Sequence, residues 1–212
     1  MPPTILCYGD SITWGFDPTA GARLPFSERW PGILQDGLAG RARVIEEGLP
    51  GRTAGSDSPW LPDRNGRTTL PFLLESHAPI DLVVLMLGTN DVSPAYGLDA
   101  AGVAANCAAL VWIVQKSLAG PGGSAPKVLL VAPPPLGKLS DFMGIFSKGG
   151  EDACRALAAE YEIIARGCRC HFLDAGQLVS VSAADGMHLD APAHRVLGEA
   201  IRKTVEAILR LP

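Results

Sequence analysis

Five short apolar runs, Thr4–Tyr8, Arg43–Glu47, Leu82–Leu87, Val128–Ala132 and Cys170–Leu173, alternate with longer segments, and this alternation narrows the possible folds more than any other feature of the sequence. Each run is too short for a helix, and most are rich in Val, Ile and Leu, as strands covered on both faces are. The intervening segments carry a helical period. Val103, Cys107, Leu110, Val111, Val114 and Leu118 recur at threes and fours, as do Val196, Leu197, Ala200, Ile201, Val205, Ile208 and Leu209. Shorter helices are expected over Glu28–Leu38, Thr68–Glu75 and Glu151–Ala165, and Asp190 before Ala191 and Pro192 reads as the N-cap of the last helix. Strand and helix alternating five times over imply an α/β fold, a five-stranded parallel sheet with helices on both faces in the order 2-1-3-4-5.

In such sheets ligands sit beyond the carboxyl ends of the strands. Ser11 lies there, directly after strand one in ILCYGDSITWGF (Ile5 to Phe16). Two stretches loaded with Pro and Gly, Leu49–Arg67 and Pro133–Gly150, follow strands two and four and emerge at the same edge, where both are expected as irregular loops. At 212 residues, 47% hydrophobic and 19% charged, the chain is expected to form one domain over residues 1–212. Its net charge of -4 supplies no broad basic field, so the expected partner is a small molecule rather than nucleic acid or an anionic membrane. The start, MPPTILCYGDS, lacks the pattern of a secretory leader, and no segment approaches the ~20 apolar residues of a membrane span, so a cytoplasmic protein is expected. Five scattered cysteines fit reduced thiols, and Cys168 with Cys170 has no second pair to complete a tetrahedral metal site.

A serine hydroxyl is a weak nucleophile until a base takes its proton and a third group fixes the tautomer of that base. Of four histidines, His77 precedes Ala78 and Pro79, His171 opens an apolar strand and His194 falls inside a helix; His188 lies in the loop-like ADGMHLDAP, three residues after Asp185. That separation puts both side chains on one side of a turn, with Asp185 placed to accept the Nδ1 proton and Nε2 left to face Ser11. Asp185-Gly186 also reads as a plain turn with a solvated histidine beside it, because the spacing is a common one. Acyl transfer further needs donors for a tetrahedral oxyanion. Gly51 in EEGLPGRT, after strand two, can offer an unobstructed N–H, and Asn90 in MLGTND, after strand three, a neutral amide; each alone also reads as a turn residue. Four polar elements at the ends of strands one, two, three and five converge on one edge, and the coincidence favours a site. The rival from another class is a nucleotide- or flavin-binding module, although neither G-x-G-x-x-G nor G-x-x-x-x-G-K-[ST] occurs. Asp10, Asp91 and the isolated histidines do not form a metal-ligand set.

Taken together, GDSIT with Ser11, GLPGRT with Gly51, GTND with Asn90 and DGMH with Asp185 and His188 resemble, in residues and order, the four blocks of the SGNH hydrolases, also called GDSL esterases. The resemblance implies a flavodoxin-like three-layer α/β/α sandwich and a serine ester hydrolase using no metal or organic cofactor. By that likeness Ser11 is the nucleophile, His188 the general base, Asp185 its orienting acid, and Ser11 N–H, Gly51 and Asn90 the oxyanion hole. ILCYGDSITWGF, RWPGIL, VIEEGLPGRT, DLVVLMLGTND, PKVLLVAPPPL and FLDAG are similar to the arylesterase and acyltransferase branch. Members of that branch act on short-chain acyl esters, some transfer acyl groups to alcohols or carry out perhydrolysis, and several are oligomers, so a homo-oligomer is expected. A carbohydrate acetyl esterase or a thioesterase of the same family is the alternative. Asp10, Trp14, Phe16, Phe142 and Phe146 are the expected substrate contacts, with Trp60 and Met143 as further candidates for an apolar wall, although aromatic residues equally suit a core or a subunit contact. The base must be neutral to accept a proton, so activity is expected to rise with pH as the imidazole discharges.

Overall fold

The computed structural model describes residues 2–212. Strand β1 (Thr4–Gly9) runs into a single helical turn, α1 (Ser11–Trp14), and a 3-10 segment at Phe26–Glu28 leads into α2 (Trp30–Leu38). Then follow β2 (Arg43–Gly48), α3 (Gly66–His77), β3 (Leu82–Met86), α4 (Ala100–Lys116), β4 (Lys127–Ala132), α5 (Asp141–Ser147), α6 (Glu151–Cys168), β5 (His171–Asp174) and α7 (Ala191–Leu209). The strands form one parallel sheet in the order β2-β1-β3-β4-β5, as the alternation of runs and periodic segments implies.

Successive strand residues point to opposite faces, and here both faces are covered. Ile5, Cys7, Leu82, Val84, Met86, Leu129 and Val131 pack with Trp30 and Leu34 of α2 and Leu197 and Ile201 of α7. On the opposite face Leu6, Tyr8, Val83, Leu85, Val128 and Leu130 pack with Leu70 and Leu74 of α3, Val103 and Cys107 of α4, and Leu157 and Tyr161 of α6. Each fully buried aliphatic side chain contributes about 1.5–3 kcal/mol, which is why β3 can be apolar at every position. The result is a three-layer α/β/α sandwich.

Local chemistry sets the helix ends. Asp99 Oδ1 accepts the Gly102 N–H at 2.8 Å and starts α4 three residues before its first periodic apolar residue. Asp190 Oδ1 accepts the Ala193 N–H at 3.0 Å and caps α7, as expected. One departure lies within the Pro133–Gly150 stretch, which is not irregular throughout: the Ser140 hydroxyl accepts the Met143 N–H at 3.3 Å and nucleates α5. The Leu49–Arg67 stretch does remain mostly irregular, pinned by one bridge between Thr53 and Asn65. Among the described residues no helix is long and apolar enough to cross a membrane. All five cysteines carry free thiols.

Candidate active site

The sheet delivers Ser11 at the carboxyl end of its inner strand β1. Asp10 ends the strand as an N-cap, its Oδ1 accepting the Ile12 N–H at 2.9 Å, and Ser11 becomes the first residue of α1. A first-turn N–H has no intrahelical carbonyl to reach, so that of Ser11 is left for a ligand. The loop between β5 and α7 brings His188 over the same edge: the Ser11 hydroxyl lies 2.8 Å from Nε2, and Nδ1 lies 2.6 Å from Asp185 Oδ2. A carboxylate only accepts, so the Nδ1 proton points to Asp185 and Nε2 is left to accept from Ser11. Asp185 Oδ1 in turn accepts the N–H groups of Met187 at 2.8 Å and His188 at 2.9 Å, so one carboxylate fixes both the loop and the ring. Burial alone would raise its pKa, but these bonds, led by the His188 side chain, hold it below the ordinary carboxylate value. All three side chains are buried, and the Phe16 ring packs on the imidazole with centroids 4.3 Å apart.

Two further donors stand at the neighbouring strand ends. Gly51 sits after β2 with φ of 78°, a left-handed backbone that glycine takes without steric cost. The Arg52 N–H closes that turn on Leu49 O at 3.0 Å and leaves the Gly51 N–H outside it. After β3, Asn90 Nδ2 donates to Arg52 O at 2.9 Å, and only a long 3.4 Å contact to Asp10 Oδ2 engages it otherwise, so one amide proton remains for a ligand. Beneath them Asp91 accepts the Ala54 N–H with both oxygens, at 2.8 and 2.9 Å, anchoring the loop that carries Gly51. Burial pushes its pKa up to about 7 and that of Asp10 up to about 6, against backbone hydrogen bonds that pull both down.

Ser11, Gly51, Asn90 and His188 open onto a cavity of about 320 Å³, walled further by Phe16, Trp60, Leu61, Tyr96, Phe142, Met143, Phe146 and Met187. No Asp, Glu, Lys or Arg side chain lines it. Edge-to-face contacts chain Tyr96 to Trp60, Trp60 to Phe146 and Phe146 to Phe142, with centroids 6.1, 5.3 and 5.5 Å apart. Phe16, Phe142 and Phe146 are therefore on the wall, as expected, but Asp10 and Trp14 are not. Asp10 is spent on the α1 cap and lies under the site. Trp14 is turned away because Gly15, at φ of 84°, reverses the chain between it and Phe16; the Arg23 guanidinium covers its ring at 5.0 Å. The roles of Arg52, Asp91 and Tyr96 were not readable from spacing, since each acts through a contact with a distant segment. Among the described residues no three His, Cys, Asp or Glu side chains come together as a metal-binding set.

The model of the GDSL-like lipase/acylhydrolase family matches residues 7–196. A carbohydrate acetylesterase from Sinorhizobium meliloti, Est24, superposes with a TM-score of 0.94 at 38% identity, covering 97% of this chain and 99% of its own. The inhibitor-bound aryl esterase of M. smegmatis does so with a TM-score of 0.93 at 37% identity, again over 97% of this chain and 99% of its own. No match was found among curated proteins.

Proposed function

As the chain belongs to the GDSL-like lipase/acylhydrolase family and is a serine ester hydrolase, we propose that it cleaves short-chain aryl and simple alkyl esters through an acyl-enzyme on Ser11. The observation that carries this reading is the relay from Asp185 through His188 to Ser11, at 2.6 and 2.8 Å, on the floor of an uncharged cavity. His188 takes the Ser11 proton as the hydroxyl attacks the ester carbonyl, and a tetrahedral intermediate forms. Its oxyanion is held by the N–H groups of Ser11 and Gly51 and by the Asn90 amide. The alcohol leaves with the proton from His188. Water, or a second alcohol, then attacks the acyl-enzyme with His188 again as base, so hydrolysis and acyl transfer share one intermediate.

The similar structures divide between an aryl esterase and a carbohydrate acetylesterase. An uncharged wall that is mostly aromatic and aliphatic favours an aryl or alkyl leaving group, because Ser58, Ser93, Ser147 and Tyr96 offer fewer polar partners than the many hydroxyls of a sugar require. The test is turnover of aryl esters from acetate to octanoate, beside acetylated monosaccharides, by wild type and Ser11→Ala. Wild type is expected to prefer the short aryl esters, and Ser11→Ala to lose about 10³-fold or more in kcat. Equal rates in the two proteins would remove the reading, and faster turnover of the sugar acetates would move it to the carbohydrate substrate.

A further inference from the structure

Arg52 lies under the site, outside the cavity wall, yet it joins all three strand ends from which the donors come. Its Nη1 donates to Gly9 O at 2.8 Å, two residues before Ser11, and to Glu47 O at the end of β2. The guanidinium stacks on the Tyr8 ring, 4.2 Å from the centroid, and the Tyr8 hydroxyl is itself held by Gly66 O at 2.8 Å. Its main chain completes the connection. The N–H closes the turn that presents Gly51, and the carbonyl orients the Asn90 amide at 2.9 Å. We propose that Arg52 is the positioning residue of the oxyanion hole, holding the Ser11, Gly51 and Asn90 donors at fixed mutual distances from below; the assignment rests on the ester-hydrolase reading above.

The physical case is one of geometry against cost. The three donors sit on three segments separated by about 40 residues each, and no direct hydrogen bond joins Ser11 to Gly51 or Gly51 to Asn90. A misplacement of about 1 Å in such a constellation costs about 10²-fold in rate. Burying a cation is expensive, and a Met or Leu would fill the same space more cheaply. Arg52 bears that cost with its Nε left without a partner. What it gains is the set of contacts just named, together with the charges of Glu47 and Asp10, which favour its cationic form against desolvation. A single Nη1 bonds both carbonyls while the rest of the guanidinium lies over the Tyr8 ring, and that combination of donor and delocalised cation is particular to arginine.

The experiment compares wild type, Arg52→Met and Arg52→Lys on 4-nitrophenyl acetate, with kcat expressed per site titrated by a fluorophosphonate so that misfolded protein is not counted, and Ser11→Ala, which has no titratable nucleophile, per mole of protein. Arg52→Met is expected to lose about 10²-fold in kcat with KM within about twofold, because the hole meets only the tetrahedral state. Arg52→Lys keeps a cation for the two carbonyls but loses the guanidinium over the Tyr8 ring, and should lose about tenfold. Binding of phenylboronic acid, which forms a tetrahedral adduct, should weaken in step with kcat. A kcat per titrated site within twofold of wild type, or a loss confined to KM, overturns the assignment; if Arg52→Met does not fold, the same criterion applied to Arg52→Lys decides. Wild type no faster than Ser11→Ala removes the underlying ester-hydrolase reading, and this assignment with it.

Discussion

Asp185 shows how much a single side chain can carry. Its two oxygens hold the His188 ring, the His188 N–H and the Met187 N–H, so the same group shapes the loop and selects the tautomer. Asp185→Asn separates the two tasks. The amide oxygen can still accept the backbone N–H groups, but the amide nitrogen donates toward Nδ1 and drives the ring proton to Nε2, where it blocks acceptance from Ser11. The expected result is a folded protein with kcat lower by about 10⁴-fold, measured as initial rates on an aryl acetate; a kcat near that of wild type would separate Asp185 from the proton relay. Ser11, Gly51 and Asn90 were legible in the sequence because each lies in a short block next to a strand end, and Asp185 and His188 because they share the DGMH block just before α7. The roles of Arg52 and Asp91 were not, although they lie inside two of those blocks, GLPGRT and GTND. Their roles arise from bonds to Gly9 and Ala54, made across 43 and 37 residues, and such contacts leave no periodic trace.

Among the elements, the strands were the most readable, since burial on both faces makes them continuous apolar runs bounded by polar residues. Helix α5 was hidden. Its Pro- and Gly-rich flanks read as loop, and its seven residues are too few for a period to stand out. Its apolar face mainly serves the cavity, which Phe142, Met143 and Phe146 line, although Phe142 and Ile145 are still 62% and 70% exposed. Trp60, from the loop after β2, bridges α5 and Tyr96 and so closes that side of the cavity wall. Trp60→Ala is expected to open that wall. The ratio of kcat/KM for octanoate over acetate esters should rise about tenfold, with the Ser11 titration unchanged. An unaltered chain-length profile would show that the bridge does not limit the acyl group.

At the scale of the whole molecule, α2 and α7 are joined through a buried histidine. His194 Nδ1 accepts the Trp30 N–H at 3.4 Å, and burial lowers its pKa to about 4; Asp190 opposes that shift, while His188 and Arg29 add to it. An unfolded histidine titrates near ~6.5, so as pH falls from there toward 4 the unfolded chain takes up a proton that the folded one refuses, and stability is lost. Urea unfolding of wild type relative to His194→Asn should therefore show wild type losing ground over that window, by at most about 1.4 kcal/mol per pH unit. A difference that does not change with pH would mean that His194 takes up its proton equally in the folded and unfolded states. Asp91 works in the opposite sense. Its folded pKa of about 7 lies above the unfolded value near ~4, so its contribution is lost as pH rises from ~4 to about 7.

The sequence by itself determined the architecture and the cast of the site: five buried runs with helical segments between them allow few arrangements other than a parallel sheet, and the blocks after its strands must meet at the carboxyl edge. Tertiary structure alone decided which aromatic residues face the cavity. Trp14 and Phe16 are two positions apart in one block, yet a left-handed glycine between them sends one under Arg23 and the other onto the His188 ring. Side-chain direction in a turn depends on individual backbone angles and on what packs against them, whereas in a strand or helix it follows a fixed repeat that can be read along the chain.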